Sequence, residues 1–206
     1  TSPALFPAPE RISGNLSKLS VLGQEFTDVN YSVVDEQAWQ LLQVNAKEAR
    51  AAIKFFPEWL TQGVAVDADF IHIPVDETEV AQNNINVDTV PDVIAPPEEA
   101  SLLSDEQLFS QLPPMQVKCS SCKIGLLDLG EVTFTIERAS AEQIKLNNFV
   151  AKRGRSKLTV DGAWHFDETL SKTQLTGSYS TSNIGREIEA LGYASIIKDS
   201  GIDLQF

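Results

Sequence analysis

Histidine occurs twice in the 206 residues, at 72 and 165, and cysteine twice, at 119 and 122. That scarcity excludes most catalytic and metal chemistry. A structural zinc takes about four Cys or His ligands, and the two histidines stand far from the cysteine pair in sequence. Neither histidine has a carboxylate or nucleophile at motif spacing, so both read as ordinary sheet residues. No Gly-x-Ser-x-Gly, phosphate loop, Gly-x-Gly-x-x-Gly or His-Glu-x-x-His occurs. The expectation is a protein that is not an enzyme and holds no cofactor and no metal. Positive charge is also short, with 16 Lys+Arg against 29 Asp+Glu and a net charge of −13. A phosphate backbone repels that balance, so no nucleic-acid partner is expected. No apolar run is long enough to cross a bilayer as a helix. Residues 1–11 lack an apolar core and carry Pro3, Pro7 and Pro9, so no signal peptide is expected there.

The charge is concentrated. From Asp76 to Glu106 there are nine acids and no Lys or Arg, together with Pro91, Pro96 and Pro97. The segment has no sustained apolar period and reads as a linker or surface insert between two units, 1–75 and 107–206. An acidic docking segment is the alternative.

What is abundant is alternation. Leu158, Val160, Gly162, Trp164 and Phe166 alternate with Lys157, Thr159, Asp161, Ala163 and His165. Period two over this length means a strand with one dry and one wet face. Val132, Phe134 and Ile136 repeat the pattern, as do Leu175, Gly177 and Tyr179, then Val29, Tyr31 and Val33, then Val64, Val66, Ala68 and Phe70. Breaks in phase at Leu41-Leu42 and Phe70-Ile71 suggest bulges or strand ends. Short polar turns at Asp35-Glu36, Ser140 to Glu142, Lys152 to Arg155 and Asp167-Glu168 join the strands into an antiparallel meander. Helix signals are few. Ser104 to Gln107 opens like a capped turn before Leu108, Leu112 and Pro113. Thr181 or Ser182 is placed to cap a helix near 182–191 carrying Ile184, Ile188 and Leu191, with Gly192 to end it. Pro57 to Gln62 suggests a third, short one.

The units resemble each other. Gln24 to Val34 lies over Leu127 to Glu137 at an offset of about 103, and Ala46 to Phe55 over Ala151 to Val160 at about 105, the drift falling in a turn where insertions are cheap. The ending Gly201 to Phe206 reads as the opening of another strand, and the start is apolar, Pro-rich and without Met. A piece of a longer, modular β protein is expected.

Cys119-Ser120-Ser121-Cys122 sits between apparent strands and looks like strand, turn, strand. In an oxidising compartment the pair reads as a disulfide across a tight turn; in a reducing one, as two free thiols. Lys152, Arg153, Arg155 and Lys157 place four cations on one hairpin tip. They either guard a strand edge or attract anionic head groups. The apolar faces need a cover. Either the two halves close on each other as a sandwich, the commoner solution, or one face lines an open apolar groove.

The second half carries a family pattern. Pro-Met-Gln-Val-Lys-Cys at 114–119, Leu-Gly-Glu-Val-Thr-Phe-Thr-Ile at 129–136, Lys157 to Trp164 ending in Gly-Ala-Trp, Leu175 to Tyr179, and Ile184-Gly185 to Leu191-Gly192-Tyr193 with Asp199-Ser200-Gly201 resemble the AsmA-like repeat, in its YhdP branch and related to TamB-type bridges. The resemblance covers 115–206 well and 10–75 more loosely, and the acidic insert departs from it. It implies a mainly β fold: a strongly curved antiparallel sheet, a taco-like β-groove, built from two repeat units with a few short helices. It further implies a periplasmic segment of a protein anchored in the inner membrane of Gram-negative bacteria. That groove would carry phospholipid acyl chains toward the outer membrane and support its barrier. Partners would be acyl chains, neighbouring repeats of the same chain, and the two membranes through the full-length protein. On this reading Val132, Phe134, Ile136, Leu158, Val160, Trp164, Phe166, Leu175 and Tyr179 line the groove. The alternative is a β-sandwich adhesion or interaction module of the envelope, with the same side chains meeting across two sheets.

Overall fold

The computed structural model describes residues 10–21, 24–74, 112–140, 142–166, 171–190, 196–197 and 200–206. The acidic segment, the capped turn expected at Ser104, the Asp167-Glu168 turn and Leu191 to Tyr193 lie outside the described residues.

Among the described residues, eleven strands form one sheet whose spatial order is their order in sequence. They are β1 (Arg11–Val21), β2 (Gln24–Asp35), β3 (Gln40–Asn45), β4 (Ala49–Phe55), β5 (Val64–Ile73), β6 (Met115–Ile124), β7 (Leu127–Ser140), β8 (Gln143–Arg153), β9 (Ser156–Phe166), β10 (Ser171–Thr181) and β11 (Ile202–Gln205). Two short helices accompany them among the described residues, α1 (Trp59–Gln62) and α2 (Ile184–Ala190). Among the described residues, the extensive backbone contacts between elements are all between neighbouring strands. The sheet does not close: β1 and β11 are its edges. An open sheet beyond about ten strands curls under its own twist.

This arrangement corrects the sandwich alternative, because the two halves share one sheet instead of facing each other. It also qualifies the meander. All neighbours pair antiparallel except β5 and β6, which run parallel with Val64 opposite Met115 and Ile73 opposite Ile124. Parallel neighbours need a connection of about a dozen residues or more, and the long acidic segment supplies that length.

Three local expectations change. Cys119 to Cys122 is not a turn between strands. It lies inside continuous β6, where the register on β7 slips between Cys119 and Cys122. Small polar residues there allow a bulge, and the chain reverses only at Gly125-Leu126, with Gly125 at φ 56°. No bulge occurs at Leu41-Leu42: β3 pairs regularly on both sides, and the two leucines point to opposite faces. The break near Phe70 is a bulge, the register shifting opposite Arg50/Ala51 so that Asp69 is left over. At α2, Asn183 is the cap in place of Thr181 or Ser182. Its Oδ1 accepts from the Arg186 N–H at 3.1 Å, and Thr181 Oγ1 in turn accepts from the Asn183 N–H at 3.2 Å.

Candidate functional site: an apolar sheet face

Register decides what each face of the sheet presents. Starting at β1, Gly14 pairs with Tyr31, Tyr31 with Val44, and Val44 with Ala51. Ala51 continues to Ala68, Ala68 to Cys119, and Cys119 to Val132. Val132 continues to Ala151, Leu158, Tyr179 and finally Leu204 on β11. Directly paired residues share a face. One row therefore crosses all eleven strands without a charged or amide side chain. At about 4.8 Å per strand its ten steps span about 48 Å.

A second row runs beside it on the same face: Ile12, Val33, Leu42, Ile53, Val66, Val117 and Phe134, in direct register. At β8 a bulge interrupts it. Asn148 adopts φ 52°, and its N–H is held by Asp161 Oδ1 at 2.7 Å. The row resumes at Phe149, whose ring stacks on Phe134 with centroids 6.0 Å apart, and continues through Val160 to Gly177. Shifting register by one residue gives the other face: Ser13, Ser32, Gln43, Ala52, Asp67, Lys118, Thr133, Val150, Thr159, Ser178 and Gln205, also an unbroken chain of pairs. Along these rows the contrast between the two faces runs across all eleven strands.

The middle of the apolar face is packed by small residues under large ones. Ala68 is fully buried, and Cys119 and Val132 are 2% exposed, with Phe134, Phe149, Ile71 and Leu129 leaning over them. Toward the edges the face opens: Ile12 is 50% exposed and Leu175 53%. Glycines make room where side chains cross between strands. A Cβ on Gly14 would sit 2.8 Å from the Tyr31 hydroxyl. One on Gly177 would sit 2.3 Å from the Thr159 carbonyl and 2.8 Å from the Phe206 ring that lies across it.

The nine residues singled out from the sequence fall as follows. Val132, Leu158 and Tyr179 stand in the first row, Phe134 and Val160 in the second. Ile136 and Leu175 belong to a third row, joined by Leu146 and Gly162. Trp164 is one step further, opposite Ile144 and Thr173. Phe166 closes β9 opposite Ser171, and its side chain lies outside the described part. Cys119 and Cys122 are joined as a disulfide with Cα atoms 6.0 Å apart, so the first row carries a covalent staple beside its centre. The histidines belong to the wet face. His72 Nε2 lies 3.2 Å from Ser121 Oγ, and His165 Nε2 lies 2.9 Å from Gln143 Nε2.

One polar cluster on this face comes from four elements and was invisible as a motif. Arg153, two residues beyond Ala151, ion-pairs with Glu187 of α2. Ser156 Oγ lies 2.6 Å from Glu187 Oε1 and 2.9 Å from Thr181 Oγ1. The cluster pins α2 over the β7–β10 end of the apolar face. Beneath the helix is a cavity of about 250 Å³ walled by Leu129, Ala151, Leu158, Tyr179, Ile184 and Ile188 among others. Burial raises the Tyr179 pKa, and the Glu187 carboxylate adds to the shift. In the sequence Arg153 stood out as one of four cations on a hairpin tip and Thr181 as a helix-cap candidate, and nothing linked either to Glu187. A second hollow, of about 750 Å³, lies on the wet face of β1–β5 and is lined by Asn15, Asn30, Gln43, Asn45 and Asp67 among others. A twisted sheet is hollowed on both faces along different diagonals, and amides and acids keep this one hydrated.

The match to known sequences agrees with this architecture. The family described as YhdP protein matches residues 1–206. The chain belongs to the YhdP family. No curated protein and no solved structure matches it. The YhdP family is one of cell-envelope proteins, and membership suggests a part in envelope lipid transport. No helix among the described residues is long and apolar enough to cross a membrane.

Proposed function

We propose that this YhdP-family chain is a segment of a periplasmic lipid conduit, whose apolar face bears phospholipid acyl chains between the inner and outer membranes. The observation that carries the reading is the unbroken apolar row from Gly14 to Leu204, with no second sheet over it among the described residues. An acyl chain laid on such a wall gains roughly 0.8 kcal/mol per methylene removed from water, without a directional bond to break. It can therefore slide from strand to strand. The work is physical, so no catalytic residue is involved, and Val132, Phe134, Ile136, Leu158, Val160, Trp164, Phe166, Leu175 and Tyr179 act as wall. The full-length protein, held in the inner membrane, would join this wall to those of neighbouring repeats and so support the outer-membrane barrier.

Trp164 offers a native probe. A Trp39→Phe, Trp59→Phe variant leaves it as the sole indole of three. Phospholipid with brominated acyl chains should quench its fluorescence, and unbrominated lipid should not. Equal emission with both lipids would remove acyl chains from this face.

A further inference from the structure

The apolar cavity under α2 has a neighbour of opposite chemistry. At the rim of the sheet, where β8 turns into β9 and β10 leads into α2, a cavity of about 610 Å³ is lined by Arg153, Arg155 and Arg186, by the hydroxyls of Ser156, Thr181 and Ser182, and by Glu187. Three arginines against one glutamate is an unusual density in a chain of net charge −13. The two cavities share a wall made of Arg153, Ser156 and Glu187. Glu187 is occupied by Arg153 and Ser156. Among the described residues, Arg155 and Arg186 have no carboxylate within ion-pair distance. Their guanidinium groups offer paired N–H donors suited to a tetrahedral oxyanion.

We propose that the two adjoining cavities form a binding site for an amphiphile with a phosphate-type head group. Arg155 and Arg186 hold the head at the rim, and the cavity beneath α2 takes the adjoining methylenes. The Arg153–Glu187 pair sits at the border and keeps the head from sinking into the apolar row. The proposal rests on the reading of the face as an acyl-chain wall, and it fixes where along that wall a head group is gripped. Charge supplies attraction at the rim and apolar burial supplies it beneath the helix, so a ligand with both parts outbinds a ligand with either alone.

The test is calorimetric titration of the 206-residue chain with three probes: dodecyl phosphate below its micelle concentration, inorganic phosphate, and dodecyl maltoside. Dodecyl phosphate should bind at least about ten-fold tighter than either of the others, and the Arg155→Ala, Arg186→Ala double variant should lose about ten-fold of that affinity. Both arginines are exposed, so the variant should melt as the parent does. A second variant, Ile188→Ala, should weaken dodecyl phosphate and leave inorganic phosphate unchanged. Inorganic phosphate binding as tightly as dodecyl phosphate would mean a plain anion site and overturn the proposal. So would a double variant that keeps full affinity. Failure of the wall would look different. Trp164 would then escape quenching by brominated chains while dodecyl phosphate still bound at the rim.

Discussion

Val160→Asp separates an open apolar face from a closed core. Val160 lies in the second row between Phe149 and Gly177 and is only half-buried. In a two-layer core an unpaired carboxylate at this place would cost several kcal/mol and take most of the stability of a domain with it. On an open face the carboxylate stays hydrated. The loss is then a fraction of the roughly 1.5–3 kcal/mol for a fully buried valine. To this is added about 0.5 kcal/mol for the pair with Phe149, and up to about 1 kcal/mol of strand preference. These sum to about 2 kcal/mol, or about 4–8 °C in melting temperature for a chain of this size. The assay is thermal unfolding followed by circular dichroism. A folded variant with a lowered but cooperative transition is the expected result. The full-length protein carrying the change should fail to restore outer-membrane integrity, because each passing chain must strip water from the new charge. A Val160→Asp chain already unfolded at 25 °C would refute the open face. A variant that folds and fully restores the barrier would remove Val160 from the path.

Other consequences follow from the same geometry. Closing the short Cys119–Cys122 loop is worth about 2 kcal/mol by chain entropy, so Cys122→Ser should lose about that much in denaturant titration. Cys119→Ser should lose about 1 kcal/mol more, since its hydroxyl enters an apolar place. The oxidised chain should show no reactive thiol. Glu187→Gln should lower the Tyr179 pKa in a 295 nm titration. A folded pKa above the ordinary tyrosine value means that stability is complete below about pH 10 and falls as pH rises through the folded pKa, and the variant should shrink that fall. At the other end of the sheet, Glu48 accepts from the Thr27 hydroxyl at 2.6 Å and the Thr27 N–H at 2.7 Å. The Thr27 hydroxyl bond is the main reason its pKa is lowered. This contribution is present above the ordinary carboxylate pKa and is lost as pH falls through the folded one, and Glu48→Gln should remove that acid dependence at a cost of about 0.5 kcal/mol.

The alternation that builds β7, β9 and β10 was legible because a half-buried strand must repeat every two residues. The family pattern rested on the same apolar and glycine positions. β8 was not legible. Asn148 inserts a residue between Leu146 and Phe149, so its apolar phase flips midway. β1 escaped because Gly14 stands where an apolar residue would mark the face, the space being filled by Tyr31 from the next strand. Cys119 to Cys122 misled because small polar residues serve a bulge as well as a turn. The parallel pairing of β5 and β6 depends on how the chain returns after the acidic segment, which no local pattern encodes. The residues of the apolar face could be chosen from phase alone. The cluster of Arg153, Ser156, Thr181 and Glu187 could not, since it exists only once β8, β9, β10 and α2 are brought together.

The claim that one face carries lipid along its whole length is tested most directly by paired photo-crosslinking in cells. A photoreactive residue is placed in turn at Val44 and Gln43 in the first half, then at Leu158 and Thr159 in the second. Each pair is adjacent in sequence and opposite in face. The account predicts phospholipid adducts at Val44 and Leu158 and none above background at Gln43 and Thr159. Adducts that ignore the alternation, or that appear in one half of the sheet and never in the other, would contradict a continuous wall.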